Sequence, residues 1–108
     1  MIRVTYRYPY ELTVEGHAQE NAPSGVSLVC ACTTALVGSL CEALAQNRNS
    51  FHSDDIKLSE GYCHISVSPY ISFSEACEKM FEVVWFGLLH LQRTYPEYIQ
   101  VNVPDVDT

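Results

Sequence analysis

The chain opens on an alternation. Ile2, Val4 and Tyr6 take every second position with Arg3, Thr5 and Arg7 between them. After a break at Pro9-Tyr10-Glu11 the same period returns, with Leu12, Val14 and Gly16 set against Thr13, Glu15 and His17. Side chains on a strand point to alternate faces, so the pattern predicts a hairpin with one apolar side. Tyr6, Tyr8 and Tyr10 share a face of its first arm if that strand runs on, and core or interface is the ordinary use of such a stripe. Residues 19–26 contain the turn-formers Asn21, Pro23 and Gly25 and read as a mobile loop.

The period then changes from two to the helical one. Over residues 28–45, Val29, Leu36, Leu40 and Leu44 recur on one face with Val37 beside them, and Ala31, Ala35 and Gly38 form a small-residue stripe that would admit a close neighbour. Ser27 stands where an N-cap belongs. Ile56 and Leu58, a break at Glu60-Gly61, and an alternating run over residues 62–67 predict a second hairpin with Cys63, Ile65 and Val67 on one face; Asp54-Asp55 reads as a solvated turn and His52 as a loop residue. Ser72 with Glu75 spells a capping box for a second helix through Phe73, Cys77, Met80, Phe81, Val84, Leu88 and Leu91, widened by Trp85 and Phe86 and ended by Pro96. Residues 98–103 alternate again as a last strand.

The order is therefore ββαββαβ, and the economical packing is an α/β (α+β) two-layer domain: a small mixed sheet of about five strands with two α-helices on one face. With 108 residues and no internal repeat or linker, residues 1–108 read as a single domain. A chain of this size buries roughly two-thirds of its unfolded surface, enough for a core without staples.

Charge and cysteine content narrow the partners. Thirteen acidic residues against six basic ones give a net charge of −7, with no Lys/Arg cluster. That argues against direct nucleic-acid binding, which draws its affinity from clustered cations, and favours a cationic protein or peptide partner. No run approaches the roughly 18 consecutive apolar residues of a membrane span, so no membrane association is expected. The five cysteines are an odd number, and the alternating start of the chain has no apolar signal-peptide core. Together they point to a reduced, cytoplasmic protein. Cys41, Cys63 and Cys77 fit packing positions, and Cys32 has no evident role. Cys30-x-Cys32 and Cys63-His64 do not have the spacing of zinc ligands, so neither metal nor another cofactor is expected. His64 and His90 read as surface residues, and the acidic tail with Asp105 and Asp107 as a frayed end.

One pair of residues has chemical potential. His17 stands at a strand end and Cys30, thirteen positions later, in the first turn of the helix capped by Ser27. The free N–H groups and positive dipole end of a helix N-terminus favour a thiolate, and such N–H groups, here those near Val29 and Ala31, can receive an oxyanion. Without a surrounding motif, however, a strand-end histidine and a helix-start cysteine are commonly packing or surface residues.

The surrounding motif is informative. Gly16-His17-Ala18, a Gly-containing loop, and Leu28-Val29-Cys30-Ala31 running into Thr34-Ala35-Leu36 resemble the signature of the ribosomal-processing cysteine protease family, Prp, and the order of elements resembles that family's small domain over nearly the whole chain. The resemblance implies that Cys30 is the nucleophile and His17 the general base, with Gly16, Ser27 and Thr34 in support. It also implies a bacterial homodimer that removes the basic N-terminal extension of a large-subunit ribosomal protein. The family has Asp and Ser where this chain has Ser27 and Thr34, and Ala where it has Cys32. The replaced carboxylate keeps a second reading open, a diverged module that binds a ribosomal protein or assembly intermediate without cutting it; a redox or metal-handling protein is a third.

Overall fold

The structure, a computed structural model, describes residues 1–18 and 27–102. Its elements follow the expected order: β1 (Ile2–Arg7), β2 (Glu11–Glu15), α1 (Leu28–Gln46), β3 (Phe51–Ser59), β4 (Tyr62–Pro69), α2 (Ser74–Thr94) and β5 (Ile99–Val101). Single 3-10 turns at Arg48–Ser50 and Ile71–Phe73 lead into β3 and α2. The two hairpins join through β4 and β2, and β5 adds to β1 in parallel, giving the mixed sheet β3-β4-β2-β1-β5.

Register turns the alternation into a surface. Leu58, Cys63, Val14, Val4 and Val101 form one row across all five strands, and Ile56, Ile65, Leu12 and Tyr6 form the next. Both rows face the helices, whereas Arg3, Thr5, Thr13 and Ser66 lie on the other side, so a slip of one residue would expose the whole apolar set. Onto this face α2 sets Cys77, Phe81, Val84, Leu88 and Leu91, and α1 sets Val29, Thr33, Val37, Leu40 and Leu44. The sheet is wider than this cover. Along β3 only Phe51 is buried, and Leu58 is 64% exposed.

Several local expectations are corrected. Strand β3 already begins at Phe51, so Asp54 and Asp55 lie within a strand rather than a turn, and the His52 ring rests on Tyr70, 4.0 Å between centroids. No capping box forms at Ser72, because the chain first makes the 3-10 turn; α2 starts behind Phe73 without a side-chain cap, and Ser74 Oγ donates back to the Ile71 carbonyl. Strand β1 stops at Arg7. Tyr8 and Tyr10 therefore sit in the turn instead of sharing a strand face with Tyr6, which alone of the three is buried. The stripe Ala31, Ala35 and Gly38 is exposed, and a Cβ on Gly38 would meet nothing within 4 Å. The close helix approach is made instead by Gly87 of α2 against the side chain of Leu36, which leaves the buried position on α1 to Thr33. By length and composition α1 is apolar enough to cross a membrane; the hydroxyls of Thr33, Thr34 and Ser39 interrupt its apolar run, and its stripe covers the sheet. The loop residues Asn21, Pro23 and Gly25, and the tail with Asp105 and Asp107, lie outside the described residues.

Candidate active site

Strand β2 ends in a backbone geometry that only glycine takes easily. Gly16 has φ +98°, and a Cβ there would collide with the Met1 carbonyl oxygen. Its N–H donates to the Gly61 carbonyl at 2.8 Å, and the Met1 amino group donates to the His17 carbonyl at 2.7 Å. The strand end is thus tied to the chain's start and to the β3–β4 turn. His17 emerges exposed from this anchor, and its ring lies on Gly61: a Cβ on Gly61 would stand 2.5 Å from Nε2. Gly61, with φ +73°, is therefore required twice, for the turn and for the imidazole above it.

Cys30 is set by the helix cap. Ser27 is extended at φ −83° and ψ 112°; its Oγ accepts the Cys30 N–H at 3.0 Å, and its carbonyl accepts the Ala31 N–H at 3.0 Å. The half-buried Cys30 sulfur in turn accepts the Ala18 N–H at 3.3 Å. The sulfur is thus held by an amide from the β2 end while the cap holds the Cys30 backbone N–H.

His17 and Cys30 line one cavity of about 480 Å³ between α1 and the β3–β4 hairpin. Thr34 and Gly16 line it too, and Val14, Val37, Leu58 and Tyr62 make most of the lining apolar. The cavity exists because β3 extends beyond the helices. Among the described residues no hydrogen bond joins the imidazole to the sulfur. Ser27 acts from behind, through the cap. Val29 and Ala31 are not among the residues that line the cavity; Val29 is wholly buried, and the Ala31 N–H donates to the Ser27 carbonyl. Sequence reasoning missed the Ala18 amide and Gly61. The Glu60-Gly61 pair signals a turn, but nothing in the local sequence says whose ring lies over it.

The other thiols differ sharply. Burial pushes Cys77 up to about 11. The thiols of Cys41 and Cys63 interact directly: Cys63 holds Cys41 down to about 7, while contact with Cys41, followed by burial, pushes Cys63 up. Cys32 is exposed. Cys63 faces the helices, and His64 points away, its Nδ1 2.9 Å from Thr13 Oγ1, so the adjacent pair cannot converge on one ion.

A thiol and an imidazole that border one apolar trough are the side chains that acyl transfer from a peptide calls on. The family model described as cysteine protease Prp matches residues 1–100. The chain belongs to the Prp cysteine protease family. Among solved structures, it resembles the essential ribosomal processing protease Prp from S. aureus in complex with a covalently linked product peptide, at TM-score 0.73 and 19% identity over 94% of this chain and 95% of that one. The same S. aureus protease with a substrate peptide superposes at TM-score 0.69 and 18% identity, again over 94% of this chain and 95% of that one. SMU.848 from Streptococcus mutans matches at TM-score 0.72 and 26% identity, over 96% and 94% of the two chains. No curated protein matches. The Prp matches carry the two-helix, five-strand fold across almost the whole chain.

Proposed function

We propose that this Prp-family chain is a cysteine endopeptidase in which Cys30 is the nucleophile and His17 the general base, acting on the basic N-terminal extension of a bacterial large-subunit ribosomal protein. The observation that carries the reading is that His17 and Cys30 border one trough, with the Ala18 N–H on the sulfur and the Ser27 cap fixing the Cys30 backbone. His17 takes the Cys30 proton, and the thiolate attacks the scissile carbonyl. As the tetrahedral intermediate collapses, the imidazolium returns that proton to the leaving amine; water then hydrolyses the thioester with His17 again as base. Ser27, where the family has Asp, still fixes Cys30 through its cap, and Thr34 offers a hydroxyl on the trough wall.

Net charge supports the choice of substrate, since a chain at −7 attracts a basic segment. A homodimer belongs to the same reading, supported by the apolar groove between the helices at Leu40, Ala43, Met80 and Val84 beside the exposed Val83 and Phe86. So does a cytoplasmic setting, where five free thiols persist.

The test is mass spectrometry of a peptide carrying the ribosomal-protein extension, incubated with the wild type and with Cys30→Ala. A single cut by the wild type, with none by Cys30→Ala, is expected. If the wild type binds the peptide and leaves it whole, the non-catalytic module is the correct reading.

A further inference from the structure

The far end of the trough has chemistry that peptide cleavage does not use. Cys41 follows Cys30 by eleven positions on α1, about three turns and ~16 Å along the axis, so both cysteines face the same cavity from opposite ends. Cys30 cannot bridge to Cys41 at that separation, because a disulfide needs Cα atoms within about 7 Å. Cys63 can. It stands on β4 in the row between Leu58 and Val14, borders the same cavity, and lies within hydrogen-bonding reach of the Cys41 thiol. The two positions divide the labour of oxidation: both border the trough, but Cys41 is half-buried whereas Cys63 is only 8% exposed.

We propose that Cys41 and Cys63 form a peroxide-oxidisable dithiol whose disulfide joins α1 to β4 across the end of the trough remote from Cys30. The Cys41 thiolate attacks one oxygen of hydrogen peroxide; the O–O bond breaks, hydroxide leaves and takes up a proton as water, and Cys41 becomes the sulfenic acid. The Cys63 sulfur then attacks the Cys41 sulfur, the S–O bond breaks, and a second water departs with the Cys63 proton. Two thiols lose two electrons and peroxide gains them. Contact between the thiols favours the sequence. While Cys41 is an anion its partner keeps its proton, and once Cys41 is oxidised that restraint is gone.

The experiment uses the full chain as Cys30→Ala, so its outcome is independent of whether the chain is a protease. The protein is treated with equimolar hydrogen peroxide, blocked with iodoacetamide, digested and mapped without reductant. The expected product is a Cys41–Cys63 cross-linked peptide lighter by two hydrogens and reversed by dithiothreitol. In Cys63→Ala, dimedone should instead trap a sulfenic acid on Cys41. Before oxidation, iodoacetamide should label Cys41 at least about tenfold faster than Cys77, with a rate that rises towards a plateau above about pH 7. Recovery of Cys41 and Cys63 both alkylated after peroxide, or a cross-link to Cys32 in their place, overturns the proposal.

Discussion

The two helices of this domain are nearly equal in length, at 19 and 21 residues, and lie on the same sheet face, yet they do opposite work. Helix α2 fills its share of the core completely: Cys77, Phe81 and Leu88 have no exposed surface, and burial holds the Cys77 thiol protonated to about pH 11. Helix α1 buries Val29 and Leu44 as thoroughly, but its flank towards β3 faces a trough, and Cys30 and Cys41 open onto it. The same residue type is inert filler in one helix and chemically addressable in the other. What separates them is whether the sheet beneath is covered, since a thiol needs both solvent access and a charge-stabilising neighbour to react.

That contrast can be broken, and the largest effect should come from the filled side. Phe81→Ala removes a wholly buried ring stacked near Tyr6, 6.5 Å between centroids, and should cost about 3–5 kcal/mol in urea unfolding. A cost below about 1 kcal/mol would mean that α2 is not the solid half of the core. On the open side, Gly61→Ala should push the imidazole of His17 off the turn and lower kcat/KM on the extension peptide by ~10²-fold, beyond any loss of folded protein measured in parallel. Unchanged turnover would show that the ring does not work from its place over Gly61. The smallest effect distinguishes the helix starts. Ser27→Ala should cost about 1 kcal/mol, because its hydroxyl holds the Cys30 amide. Ser72→Ala should stay within about 0.5 kcal/mol, because no cap forms there. Equal costs at the two serines would remove the distinction.

Much of this was legible in the residues. Alternation at Ile2–Tyr6, Leu12–Val14 and Cys63–Val67 marked the inward face of the sheet, and the helical spacing of Cys77, Phe81, Val84, Leu88 and Leu91 marked α2 correctly. Those signals are local, set by the two-residue and 3.6-residue periods of the backbone. Ser27 as the cap of α1 was legible for the same reason, being a bond across three residues. The failures were also local signals, overridden by neighbours. Ser72 and Glu75 matched a capping box, but the chain entered α2 through a 3-10 turn; Leu36 matched the core face of α1, but Gly87 drew it towards α2 and Thr33 took its place.

The sequence alone determined the order of elements, the inward faces, and the motif that holds His17 and Cys30. Tertiary structure alone decided what surrounds that pair: the Ala18 amide on the sulfur, Gly61 beneath the imidazole, and Cys63 against Cys41. These are contacts between residues 12 to 44 positions apart, made by the register of strands and the placement of a helix over them. The trough has the same origin, because a cavity is the space left where a five-stranded sheet outruns two helices, and no single segment encodes it.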